Sequence, residues 1–141
     1  MNRNNRTRFT SIVSVRNMLI LMLFCFTTFL QAAETRIVAG NGEAGFVDGS
    51  DARLNKPIRL SPFGPGRILV ADFSNHAIRS VTIDGEVVTL AGGPDKKGHK
   101  DGPATEAGFD GPHGVSASPD GLIAVAGASS HTVRLLTPMD D

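Results

Sequence analysis

Residues 71–81 read ADFSNHAIRSV, and residues 126–136 read AGASSHTVRLL. Set one above the other at an offset of 55 positions, the two stretches keep an alanine, a serine, a histidine, a β-branched residue and an arginine. Asp72 and Asn75 of the first become Gly127 and Ser130 in the second. An acid, a hydroxyl, an amide and an imidazole within five residues would suit a catalytic cluster. Catalysis has no use for a second, half-erased copy, whereas a turn joining two strands recurs in every repeat. Asp72 and Asn75 therefore read as turn-forming groups that bond backbone amides, and His76 and His131 as residues packed over their hairpins.

The repeat extends outward from this turn. Leu54-Asn55-Lys56-Pro57 falls on Phe109-Asp110-Gly111-Pro112, Leu60-Ser61 on Val115-Ser116, and Ile68-Leu69-Val70-Ala71 on Ile123-Ala124-Val125-Ala126. Upstream, Val38-Ala39-Gly40 matches Leu90-Ala91-Gly92 at an offset of 52, and Asp48-Gly49 matches Asp101-Gly102 at 53. The drift stays within Gly-rich loops, because a strand slipped by one residue would exchange its buried and exposed faces.

The apolar runs in each unit are short, β-branched and bounded by Gly, Pro, Asp or Ser, which predicts strands and turns rather than helices. Strands are expected near 36–39, 58–61, 67–71, 77–83, 86–91, 113–117, 122–126 and 132–137, with Asp84-Gly85 as a hairpin turn. Four-stranded antiparallel units repeating at about 50 residues predict an all-β chain of β-propeller blades. Blade one spans about 57–91 and blade two about 112–137, preceded by an outer-type strand at 36–39.

"VTLAGG", "DGPATEAGFDGPHGVSASPDG" and "ILVADFSNHAIRSV" resemble the NHL-repeat family. Its units run from a Pro-x-Gly-Val inner strand through an Asp-x-x-Asn-His turn to an outer strand ending in Leu-Ala-Gly. The resemblance covers about 36–137, with Ala77 in place of the usual basic residue and the turn of the second unit degenerate. It implies a propeller of about six blades, of which two strand sets are present here, so the ring is incomplete. The chain is then a fragment of a longer propeller, or copies assemble, with the strand at 36–39 completing the last blade of a neighbour, or it is a monomer with two exposed edges. Pairing one terminus with another in this way removes an exposed sheet edge.

The first 33 residues read as a signal peptide. Arg3, Arg6, Arg8 and Arg16 precede the apolar run Met18–Leu30, and Gln31-Ala32-Ala33 supplies small residues for cleavage. The run is shorter than the ~20 residues of a membrane span, so membrane contact is expected only through an uncleaved segment. The protein is then exported, secreted or periplasmic, and residues 34–141 form the repeat region. That region holds no cysteine, and its ten basic residues against fourteen acidic ones give a net charge of −4. Disulfides and thiolate chemistry are excluded there, and the sign argues against nucleic acid as a partner.

His99, His113, His76 and His131 are all expected on loops at one end of the blades, with Asp48, Asp51 and Asp101. His113 stands apart, because its counterpart in the first unit is Ile58. At the start of an inner strand it would approach the axis of a closed ring, with Arg59 beside the equivalent position, and these two are the candidate ligand-binding residues. Asp48-Gly49 and Asp101-Gly102 read as turns in which the Asp bonds its own backbone. The loops lack the alternating acids and closing Glu of a calcium loop, and no Gly-x-Ser-x-Gly elbow is present. The expected function is a non-catalytic exported module, without a cofactor, that binds a protein or other ligand through its looped face. The alternative implied by the resemblance is part of a metal-dependent propeller enzyme, lactonase-like or amidating-lyase-like, using zinc or calcium.

Overall fold

The structure is a computed structural model of the chain, and it describes residues 33–137. The segment read as a signal peptide lies almost wholly outside the described residues, as do residues 138–141. No helix among the described residues is long and apolar enough to cross a membrane.

Seven strands run in chain order: β1 (Pro57–Pro62), β2 (Arg67–Asp72), β3 (Ala77–Thr82), β4 (Val87–Gly92), β5 (Pro112–Ala117), β6 (Ile123–Gly127) and β7 (Thr132–Leu136). They form two antiparallel meanders, a four-stranded sheet β1-β2-β3-β4 and a three-stranded sheet β5-β6-β7. The repeat is visible in the register. Arg59 pairs with Ala71 as Gly114 pairs with Ala126, and Ile78 pairs with Ala71 as Val133 pairs with Ala126. Both inner strands carry an irregularity at the same place, between Pro57 and Arg59 and between Pro112 and Gly114.

Local chemistry sets each turn. A single 3-10 turn, Phe73–Asn75, joins β2 to β3 and ends at His76 in the left-handed conformation, with φ 54°. Its copy His131 has φ 57°. Gly85 has φ +98° in the β3–β4 turn, and a side chain there would begin 2.6 Å from the Val38 carbonyl oxygen. Glycine is required at that position by both geometry and space.

Alternation along the strands builds two cores. One face of the first sheet, through Leu69, Ala71, Ile78 and Ala91, meets Phe109, Val115, Ile123 and Val125 of the second unit. The other face, through Val70, Val81 and Val87, is covered by Ala52 with Val38 and Ala39 packed against it. Ala52 and Ala107 are repeat counterparts, so the long loop before each sheet covers that sheet in the same way.

The expected strand at 36–39 is absent. Val38 and Ala39 instead lie on the second core as part of a loop. A strand exists only where its backbone meets a ladder partner, and β4 lies at the edge of its sheet without pairing this segment.

Candidate functional site

The polar residues of the 71–81 stretch converge on a buried carboxylate. Asp72 is fully buried, and its Oδ1 accepts the Asn55 backbone amide at 2.8 Å. Its Oδ2 accepts from Asn75 Nδ2 at 2.7 Å and from Arg79 Nη1 at 2.8 Å. Asn75 Nδ2 also donates to the Gly45 carbonyl at 2.7 Å. Arg79, fully buried, donates from Nη2 to the Val47 carbonyl at 2.8 Å and to Asp48 Oδ1 at 2.5 Å, while its guanidinium lies 4.7 Å from the centre of the Phe46 ring. Its Nε meets no acceptor among the described residues.

This network ties the loop at 44–55 to β2 and β3. Asp48 departs from the turn reading: instead of its own backbone it bonds the Thr89 amide at 3.1 Å, the Thr89 hydroxyl at 2.9 Å and Arg79. Burial pushes the Asp48 carboxyl up, but the Thr89 amide, Arg79 and the Thr89 hydroxyl together hold it below its ordinary value. The second unit keeps half of the device. Arg134 donates to Asp101 Oδ1 at 2.6 Å, to the Lys100 carbonyl at 2.8 Å and to the Gly108 carbonyl, and lies over the Phe109 ring at 4.6 Å. With Gly127 at the position of Asp72, no buried acid faces Arg134.

His76 bridges the two units. Its Nδ1 accepts the Gly111 amide at 3.1 Å, which requires that nitrogen to be unprotonated, and Asp110 Oδ1 lies 3.6 Å away with Lys97 Nζ beyond it at 3.7 Å. His113 is exposed on β5, edge-on to Phe73 with ring centroids 6.4 Å apart. His131 is exposed at the matching turn of the second sheet. Arg59 is exposed and borders a shallow groove with Gly114, Ser116, Ala124, Ala126 and Val133. A second shallow depression is lined by Lys96, Lys97, His99 and Lys100 with Asp95 and Glu106. The four histidines therefore occupy separate surroundings, and no group of three or more His, Cys, Asp or Glu residues among the described residues could hold a metal ion.

Arg79 is the residue that sequence reasoning missed, and the repeat carried its signal. Asp48 and Arg79 recur together as Asp101 and Arg134, two opposite charges retained in both units. The pairing joins the loop before a sheet to its third strand.

No family model matches the chain. It is 37% identical over 68 residues to NHL repeat-containing protein 2 of Gallus gallus, a match covering 48% of this chain and 9% of the chicken protein. The chain resembles the NHL-repeat family. Solved structures share the fold of its two sheets. An auxiliary nutrient binding protein from Bacteroides thetaiotaomicron superposes with a TM-score of 0.64 at 26% identity over 71% of this chain. One from Bacteroides ovatus does so with 0.64 at 27% identity over 74%. A Bacteroides thetaiotaomicron protein of unknown function reaches 0.67 at 26% identity over 73%. The chain spans just over a quarter of each, 28%, 28% and 27% of their lengths.

Proposed function

We propose that this chain is an exported, non-catalytic NHL-type propeller module that binds a ligand through the loops flanking its inner strands. The observation that carries this reading is the likeness to two solved structures described as auxiliary nutrient binding proteins, at 26% and 27% identity. The chemistry of the chain supports it. Asp72, Asn75 and Arg79 direct their polar atoms inward to structural partners, whereas His113 and Arg59 stand exposed on the inner strands β5 and β1. An exposed imidazole and guanidinium can hydrogen-bond a small polar ligand or a peptide.

A thermal-shift survey of the full chain with monosaccharides, oligosaccharides and amino acids tests this. The expected result is a saturable rise in melting temperature for one class, lost in His113→Ala or Arg59→Ala. Zinc or calcium co-purifying in stoichiometric amount, together with lactone hydrolysis, would instead establish the metal-dependent enzyme.

A further inference from the structure

We infer that copies of this chain associate head to tail, so that the joint between its two units is repeated between one copy and the next. This goes beyond ligand binding and does not rest on it. Both halves of the existing joint recur on the same molecule, and in each recurrence residues whose counterparts the joint buries are left exposed.

The first half is the open face of β5-β6-β7. Ala126, Val133 and Leu135 are the repeat counterparts of Ala71, Ile78 and Ser80, all three of which are buried. In the second sheet they are exposed, Val133 by 77% and Leu135 by 63%. The second half is the outer face of the first sheet with its covering loop. Leu60 is 60% exposed, although its counterpart Val115 is buried in the core between the units. An apolar face whose internal copy is fully covered has a known complement, and that complement lies elsewhere on this chain.

Segment 37–40 gives the contact its register. Against the second core Val38 and Ala39 take the place that Leu90 and Ala91 take against the first. Gly40, with φ +86°, reproduces Gly92, with φ +80°, and each faces the loop residue of its own joint, Leu54 or Phe109. The same agreement holds for Lys56, φ 54°, and Gly111, φ 56°, the second of which donates its amide to His76. A lysine held in the left-handed conformation at the copy of a glycine reflects a backbone shape imposed by the repeat.

Within the first sheet Ile78 pairs with Ala91. By the same register Val133 of one copy faces Ala39 of the next, so β7, which pairs only with β6 among the described residues, gains a fourth strand. His131 then receives the Lys56 amide as His76 receives that of Gly111. One contact is not reproduced. The Ala117 amide donates to Ser61 Oγ at 3.2 Å, but its counterpart in the next copy is Pro62, which has no N–H.

Directly opposed residues in an antiparallel ladder have Cα atoms about 4.5–5.5 Å apart, within the range a disulfide spans. The full chain carrying Cys25→Ser with both Ala39→Cys and Val133→Cys should, on mild oxidation, form covalent multimers that reductant dissolves. Each single-cysteine variant should remain one chain on a non-reducing gel, with unchanged far-UV circular dichroism. A double variant that stays monomeric, or single variants that cross-link as readily, would overturn the proposal and leave these faces to further repeats or to another protein.

Discussion

Asp72 Oδ2 accepts hydrogen bonds from Arg79 Nη1 at 2.8 Å and from Asn75 Nδ2 at 2.7 Å, and neither the Asp72 nor the Arg79 side chain keeps any exposed surface. A buried ion pair gains little over an apolar pair of the same shape, because desolvation offsets most of the attraction. Removing one partner is another matter, since the remaining charge stays buried without compensation.

Asp72→Ala should therefore cost about 3–5 kcal/mol of unfolding free energy. Asp101, whose side chain is 90% exposed, pairs with Arg134 from solvent. Asp101→Ala should leave stability within about 1 kcal/mol of wild type. Urea unfolding of both variants checks the contrast, and equal losses would contradict the assignment of the buried network to the first unit alone.

The Asp48 carboxyl is held below its ordinary value of 3.8 in the folded chain. A depressed folded pKa contributes stability that is present above the unfolded value and is lost as pH falls through the folded one. The loss attributable to Asp48 should therefore fall below about pH 4. It should be small, because the carboxylate is half exposed and screened. Asp48→Asn should flatten the acid limb of a melting-temperature profile in that window and leave its shape near neutrality unchanged.

Much of the architecture was legible in the sequence, and the reason is physical. A period-2 strand register cannot slip without exchanging its faces, so insertions collect in loops and the strands of the two units stay aligned at 55 positions. All seven strands from β1 onward lie within about two residues of expectation. The segment at 36–39 forms no strand within one chain because a β-branched run shows capacity for a strand but does not supply the partner it needs. The Asp48–Arg79 link was missed for a related reason. An Asp-Gly pair signals a turn whatever else its carboxylate bonds, and only the joint recurrence of Asp101 and Arg134 marked it as one half of a pair.

The two repeat-related glycines separate folding from association. A Cβ on Gly92 would sit 2.2 Å from the His76 carbonyl oxygen and 3.1 Å from Ala77 Cα. Gly92→Ala should destabilise the fold by well over the ~1–2 kcal/mol of a left-handed backbone alone. At Gly40 the nearest atom is Leu54 Cδ1 at 4.0 Å. Gly40→Ala should cost only the backbone preference in an isolated copy, while its methyl meets the His131 carbonyl of a neighbour. Denaturation curves and hydrodynamic size together read the two effects.

His76→Ala should cost about 1–3 kcal/mol by leaving the Gly111 amide without its acceptor. His131→Ala should leave the stability of an isolated copy within about 0.5 kcal/mol, since the side chain is exposed. It should nonetheless weaken association. Unfolding measured at low and high protein concentration distinguishes the two roles, because only the assembled form gains stability with concentration.

Sedimentation velocity of the full chain at micromolar concentration tests the central claim most directly, that the joint between the two repeated sheet units is also formed between copies. The account predicts a species of discrete mass above one chain, three copies if the ring closes at six blades, reduced to one chain by Val133→Asp with Leu135→Asp. A wild-type protein that sediments as a single chain at every concentration, with its β-sheet signal intact, would contradict it.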